Sequence, residues 1–261
     1  MDVRHFQEGP LADPAQAARR FGQGLRPPYG EALALFALGG AGVAAVALAL
    51  PFSGPLPVLA AGLVYLLASV VAIVCLDRYP KPRFGIANTV TLVRLAGAAV
   101  FAGFAVEPAM LGEPAAAWAA LVAALALLSL DGVDGFFARR QGLESAYGAR
   151  FDMEVDALFI LVLALIAWHL GEAGVWVLGL GLVRYAFVAA AWAWPVLDRP
   201  LPWSRRRKTV CVIQVAVLTA LLAPVVVPPV SGWLAALAFA ALVWSFAIDI
   251  RWLLAQPREG R

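Results

Sequence analysis

Residues 131–156 read DGVDGFFARRQGLESAYGARFDMEVD, and this stretch places four aspartates between two long apolar segments. The aspartates are Asp131, Asp134, Asp152 and Asp156. Charge beside apolar segments of membrane length is costly, so ionisable groups there indicate a functional site. Four neighbouring carboxylates cannot all be ionised unless cations share them. Because carboxylate oxygens are hard ligands, the stretch predicts a site for Mg²⁺, Mn²⁺ or Ca²⁺ rather than for zinc.

The spacing of these aspartates predicts two neighbouring helices that meet at their charged ends. Asp131 and Asp134 lie three positions apart at the end of one apolar segment, and Asp152 and Asp156 lie four apart at the start of the next. Each pair therefore shares one helical face. The alternative interpretation is a set of solvated or salt-bridged helix ends. That alternative suits any single aspartate, but the complete spacing favours the metal site.

Small residues and one arginine lie between the two carboxylate pairs. Gly135, Ala138 and Gly148 lack side-chain bulk, which would let a ligand approach the backbone closely. In the alternative interpretation they serve only helix packing. Arg139 offers a planar fork of donors to a phosphate oxygen. Two metal ions could thus bridge the aspartates and a diphosphate.

The composition indicates a membrane protein with several spans. Hydrophobic residues make up 62% of the 261 residues, charged residues only 14%, and mean hydropathy is +0.82. A water-soluble domain of this size does not need so much apolar surface. The net charge of +3 is small and gives no indication of nucleic-acid binding.

Apolar stretches long enough to cross a bilayer recur along the chain. The eight predicted spans lie near 32–50, 57–76, 88–106, 115–138, 153–169, 174–196, 209–227 and 232–250. All but two of the 20 Lys and Arg residues fall on one side of these spans, and the exceptions are Arg94 and Arg184. The positive-inside rule then places both termini and the aspartates at the cytoplasmic face. We expect the cytoplasmic (inner) membrane of a bacterium.

At the aspartates the chain resembles the CDP-alcohol phosphatidyltransferase family of phospholipid-synthesising membrane enzymes. The family signature is matched in every fixed position by Asp131-x2-Asp134-Gly135-x2-Ala138-Arg139-x8-Gly148-x3-Asp152-x3-Asp156. Asn88, Thr91 and Arg94 resemble the Asn-x-x-Thr-x-x-Arg opening of the family's first core helix. A motif of this length is specific.

The resemblance implies an all-α fold, a polytopic membrane protein with a six-helix CDP-alcohol phosphotransferase-like core. The first two predicted spans are two additional N-terminal transmembrane helices outside that core. The expected organisation is a cytoplasmic N-terminal arm at 1–30, the two additional helices at 31–77, the catalytic membrane domain at 78–255 and a cytoplasmic tail at 256–261. The resemblance also implies a homodimer. The sequence assigns no role to the two additional helices.

The resemblance further implies transfer of a phosphatidyl group from CDP-diacylglycerol to an acceptor alcohol, with release of CMP. Two Mg²⁺ or Mn²⁺ ions would be bound by Asp131, Asp134, Asp152 and Asp156. Asp156 would also be the general base, and Arg139 would be a second catalytic residue that neutralises phosphate charge. The expected donor-binding residues are Asn88, Thr91, Gly135, Ala138, Arg139 and Gly148. For Asn88, simple helix capping is an equally good interpretation.

Basic residues suggest which acceptor is used. The candidates for binding an acceptor phosphate are Arg94, Arg184, Arg205, Arg206 and Lys208. They favour a phosphorylated acceptor, glycerol 3-phosphate or inositol phosphate, over serine or inositol. The resemblance makes glycerol 3-phosphate the lead acceptor, because that activity is common in the family, and inositol phosphate, inositol, serine or a CDP-amino-alcohol donor are the alternatives. In the competing interpretation, the basic run at 205–208 binds anionic lipid headgroups, and the two arginines inside spans reach towards the interface.

Two other classes of membrane protein could also carry a cluster of acidic residues. A cation-coupled transporter would place its acids near the bilayer midplane between inverted repeats, whereas here they cluster at one face without a visible repeat. An inactive membrane scaffold would be expected to lack at least one of the four aspartates, and all four are present.

Overall fold

The computed structural model describes residues 28–141, 145–199, 201–202 and 204–256. Within these ranges every regular element is a helix. Most of the predicted N-terminal arm and of the C-terminal tail lie outside the described residues. The eight α-helices are α1 (Tyr29–Ala49), α2 (Pro55–Val74), α3 (Gly85–Val106), α4 (Pro114–Gln141), α5 (Ala146–His169), α6 (Leu178–Ala193), α7 (Arg205–Ala220) and α8 (Val230–Ala255).

Each predicted span corresponds to one of these helices. Five helical segments of the described ranges are long and apolar enough to cross a membrane, and they contain α1, α2, α3, α6 and α8. The apolar part of α4 ends at Leu130, where the charged motif follows, and α5 begins with the second half of that motif. Helix α7 is shorter than its predicted span, with 16 residues, and its first turn is basic. The all-α polytopic membrane fold predicted from the sequence is therefore confirmed.

Helices α3 and α5 lie side by side and run in the same direction. Near their first turns, Gly148 of α5 lies against the side chain of Asn88 of α3. At their last turns, Nδ1 of His169 is 2.6 Å from the carbonyl oxygen of Ala105. Because both helices begin at the same end of the molecule, residues in their first turns can form one site. We call this end the site end.

Two hydrophobic cores hold the helices together. The larger core joins α3 and α5 to α4, α6, α7 and α8. The smaller core joins the N-terminal helix pair, α1 and α2, to residues 92–99 of α3 and 147–155 of α5. The N-terminal helix pair is thus packed against the site end rather than forming a separate unit.

Candidate functional site

Asp152 and Asp156 lie one helical turn apart in the first half of α5. Their side chains are 32% and 31% exposed. Arg94 of α3 is only 4% exposed and donates from its two terminal guanidinium nitrogens, one to Oδ1 of each aspartate. The structure therefore brings together three residues that the sequence analysis assigned to two different roles.

The position of Arg94 has an electrostatic reason. A buried guanidinium inside a membrane protein needs anionic partners, because an unpaired buried charge is strongly unfavourable. Two carboxylates on one helical face satisfy both prongs of the planar guanidinium group. The three residues lie at similar depths, Arg94 about three turns into α3 and the aspartates about two to three turns into α5, but the sequence does not show that these helices are neighbours.

The α5 half of the predicted metal site has the chemistry that a divalent cation requires. Asp152 and Asp156 present hard carboxylate oxygens from one helical face, and both remain partly accessible. These two residues therefore fit Mg²⁺ or Mn²⁺. Among the side chains that the structure describes, no group of three or more His, Cys, Asp or Glu gathers at one point.

The other half of the signature belongs to α4. Its final turns carry the residues predicted to complete the metal and donor sites, but their side chains lie outside what the structure describes. These residues are Asp131, Asp134, Gly135, Ala138 and Arg139. Their roles stay predictions.

Three residues predicted to bind the donor lie in the first turns of α3 and α5. Asn88 is buried, and its Nδ2 donates to the carbonyl of Phe84 at 2.6 Å. A Cβ atom at Gly148 would lie 2.9 Å from Oδ1 of Asn88, so glycine is what allows these helices to approach closely here. Thr91, one turn further along α3, is also buried.

The simple capping interpretation of Asn88 does not describe the structure. The residue that precedes α3 is Phe84, and Asn88 lies inside the helix, where it bonds to a carbonyl rather than to a free N–H. A side-chain cap is found instead on α5, where Oγ of Ser145 accepts from the backbone N–H of Gly148 at 3.0 Å.

The basic candidates for acceptor binding are largely engaged with acids. Arg184 donates to Glu154 at 2.6 Å. Arg206 donates to Asp249 at 2.5 Å and to Oγ of Ser245 at 2.6 Å. The two remaining candidates, Arg205 and Lys208, lie on the exposed side of α7. Sequence reasoning missed Asp249, although a lone acid in the last apolar span is a signal of a buried partner.

A cavity of about 490 Å³ lies among α5, α6, α7 and α8. Most of its wall is apolar, but Asp156, Arg184, Arg207 and Asp249 also line it. Nε of Arg184 is buried and has no hydrogen-bond partner among the described residues. The predicted general base, Asp156, therefore lines the same cavity as two arginines, Arg184 and Arg207. Arg207, which neighbours the predicted Arg206, was not singled out by the sequence analysis.

Comparison with known proteins agrees with the resemblance seen in the sequence. The model of the CDP-alcohol phosphatidyltransferase family matches residues 84–244, which is more than half of the chain and runs from the start of α3 into α8. No curated protein and no solved structure matches the chain. The N-terminal helix pair precedes the matched region.

Proposed function

Because the chain belongs to the CDP-alcohol phosphatidyltransferase family, we propose that it transfers a phosphatidyl group from CDP-diacylglycerol to glycerol 3-phosphate and releases CMP. The family comprises transferases of phospholipid synthesis that are generally divalent-metal dependent. The apolar helices and the family together make the chain an integral membrane protein. We further propose a homodimer in a bacterial cytoplasmic membrane, with the site end facing the cytoplasm, as the one-sided distribution of Lys and Arg favours.

The first turns of α3 and α5 form the proposed donor site. Asn88, Thr91 and Gly148 would contact the nucleotide, and the contact between Asn88 and Gly148 supports a shared surface. The residues of α4 that would complete this surface are Gly135, Ala138 and Arg139. A site at a membrane face suits the donor, because its acyl chains can stay in the bilayer while the diphosphate meets a water-soluble acceptor.

The cavity beside Asp156 forms the proposed acceptor site, and the presence of Asp156 in its wall is the observation that carries this assignment. A carboxylate there can take a hydroxyl proton. Arg184 and Arg207 in the same wall can bind a phosphate on the acceptor. Both arginines already have acidic partners, Arg184 in Glu154 and Arg207 in Asp249, so a phosphate would be a further partner of each guanidinium group. Two guanidinium groups in one wall favour glycerol 3-phosphate or inositol phosphate over serine and inositol, which carry no phosphate.

In the proposed reaction, the acceptor oxygen forms a bond to the phosphatidyl phosphorus, and the phosphoanhydride bond to CMP breaks. Asp156 takes the proton of the acceptor hydroxyl, and CMP leaves with the electron pair of the broken bond. Arg139 would bind a phosphate oxygen of the donor. Two Mg²⁺ or Mn²⁺ ions, held by Asp131, Asp134, Asp152 and Asp156, would supply neutralisation of the diphosphate charge.

The test is CMP release by the purified protein from CDP-diacylglycerol with Mg²⁺ or Mn²⁺. Acceptors are added one at a time: glycerol 3-phosphate, inositol phosphate, inositol, serine and none. We expect release with glycerol 3-phosphate and its loss on addition of EDTA. Release with another acceptor alone would replace the lead acceptor. Failure with every acceptor, and then with CDP-choline or CDP-ethanolamine plus diacylglycerol, would favour the transporter or scaffold class.

Substituting Gly148 tests the donor site. In Gly148→Ala the new methyl group would push against Oδ1 of Asn88 and Oγ of Ser145. Both are side-chain atoms that can move, so we expect a modest loss of thermal stability. Displacement of Asn88 should nevertheless raise the KM for CDP-diacylglycerol about tenfold, or ~1.4 kcal/mol.

The matched control is Gly62→Ala in α2, where an added Cβ would have nothing within 4 Å. It should leave the donor KM unchanged. Equal KM values for Gly148→Ala and the wild type would remove Gly148 and Asn88 from the proposed donor site.

A further inference from the structure

The N-terminal helix pair contacts the donor site through Glu31. This residue lies in the first turn of α1, outside the region matched by the family. Its Oε2 atom accepts from the backbone N–H of Phe84 at 3.1 Å. The carbonyl of Phe84 in turn accepts from Nδ2 of Asn88 at 2.6 Å. One residue therefore links a carboxylate of α1 to a proposed donor-binding side chain of α3.

The beginning of α3 lacks a side-chain cap of its own. Its N-terminal flanking residue is Phe84, whose side chain cannot cap the helix. The first N–H groups of a helix have no partner within the helix, and negative charge near them is favourable. Glu31 supplies both the acceptor and the charge from another helix. The next residue, Gly85, has a φ of +83°, so the chain turns sharply at this point.

A buried tyrosine fixes the other side of the same turn. The hydroxyl of Tyr79 shares its one proton between the carbonyls of Arg83, at 2.8 Å, and Phe84, at 3.1 Å. Burial raises the pKa of Tyr79, so the phenol keeps the proton that it donates. The carbonyl of Phe84 thus accepts from both Tyr79 and Asn88, which leaves little freedom in its position.

The same helix pair also contacts the start of α5. Tyr147 directly precedes Gly148, and its hydroxyl donates to the carbonyl of Ala72 in α2 at 3.0 Å. Its ring lies 5.4 Å from that of Tyr79. The two faces of the proposed donor site, Asn88 on α3 and Gly148 on α5, are therefore both anchored to the N-terminal helix pair.

An aromatic contact connects these anchors. The ring of Phe36 in α1 lies 5.9 Å from that of Phe84 and 6.1 Å from that of Phe151 in α5. Phe36 and Phe84 are both buried. Helix α1 thus packs, through one side chain, against both the turn before α3 and helix α5. Aromatic pairs of this kind stabilise packing beyond the burial of apolar area.

We infer that Glu31 is a positioning residue for the donor site, and that the N-terminal helix pair sets the distance between Asn88 and Gly148. This inference rests on the proposed function, since it assigns a nucleotide to that site. Glu31 acts through Phe84 and does not touch the donor itself. The two additional helices, to which the sequence assigned no role, thereby belong to the catalytic unit.

The test compares three variants of the full-length protein. Glu31→Ala removes the acceptor of the Phe84 N–H. Glu31→Gln keeps an oxygen at the same distance along the side chain. Glu107→Ala is the matched control, because Glu107 also accepts a backbone N–H across helices, from Ser53 at 2.9 and 3.1 Å, but at the end of α3 far from the site.

Two measurements distinguish positioning from general stabilisation. The first is the affinity of the purified protein for CDP with Mg²⁺, by calorimetry. We expect Glu31→Ala to weaken CDP binding about five- to tenfold, Glu31→Gln to stay within about twofold of the wild type, and Glu107→Ala to bind normally. The second is hydrogen exchange of the amides at 84–91, which should accelerate in Glu31→Ala alone.

The outcomes separate this inference from the proposed function. If the wild type binds CDP and Glu31→Ala binds it equally well, Glu31 has no positioning role although the site stands. If Glu107→Ala weakens CDP binding as much as Glu31→Ala, the effect is loss of general stability and the inference is overturned. If the wild type does not bind CDP, the proposed donor site itself fails.

Discussion

Asp156→Asn will abolish CMP release and leave the protein folded. The amide cannot take the proton of the acceptor hydroxyl, and loss of a general base alone costs about 10²–10⁴-fold in rate. Asparagine is also a weaker ligand for a divalent cation, so we expect a fall in kcat of at least about 10³-fold. Because an amide oxygen can still accept from Arg94, the melting temperature in detergent should fall by only a few degrees.

The control for this prediction is Glu154→Gln. Glu154 lies two residues from both Asp152 and Asp156 on the same helix, so it does not share their helical face, and it pairs with Arg184. Its neutralisation should preserve kcat and act only through Arg184, on the KM of the acceptor. Turnover by Asp156→Asn close to that of the wild type would refute the assignment of the general base.

Helical periodicity explains which parts of the site could be predicted from the sequence. Asp152 and Asp156 share a face in any α-helix, so their spacing alone predicted the pair that the structure shows. The sequence contains eight apolar stretches of spanning length. Each was predicted to be a helix, because a segment that crosses a membrane must satisfy its backbone hydrogen bonds internally. These features depend on positions that are close in the sequence.

The contacts that the sequence did not predict join residues far apart in the chain. Arg94 meets Asp152 and Asp156 across 58 and 62 positions. Arg206 meets Asp249 across 43 positions, and Glu31 meets Phe84 across 53. Which helices are neighbours decides such contacts, and apolar helices of similar length do not specify their neighbours by pattern. A charge in an apolar segment predicts that a partner exists without naming it.

Arg94 bridges Asp152 and Asp156, and we expect its removal to lower stability more than any other proposed substitution. In Arg94→Met, Asp152 and Asp156 lose the guanidinium group that bridges them. The side chain of Arg94 is only 4% exposed, so this ion pair is buried on the arginine side. Removing one partner of a buried ion pair costs about 3–5 kcal/mol. Since the aspartates are about one-third exposed, water will solvate them in part, and we expect a loss of about 2–3 kcal/mol in EDTA.

A divalent cation should compensate for this loss, because it would supply positive charge to the same carboxylates. We therefore expect Mn²⁺ to raise the melting temperature of Arg94→Met more than that of the wild type, in thermal denaturation with and without EDTA. Arg94→Lys keeps the charge but cannot form a two-pronged contact. Its rise in melting temperature with Mn²⁺ should therefore lie between those of the wild type and Arg94→Met. If Mn²⁺ raises all three melting temperatures equally, Arg94 and the cation do not act on the same carboxylates, and the α5 half of the metal site would have to be placed elsewhere.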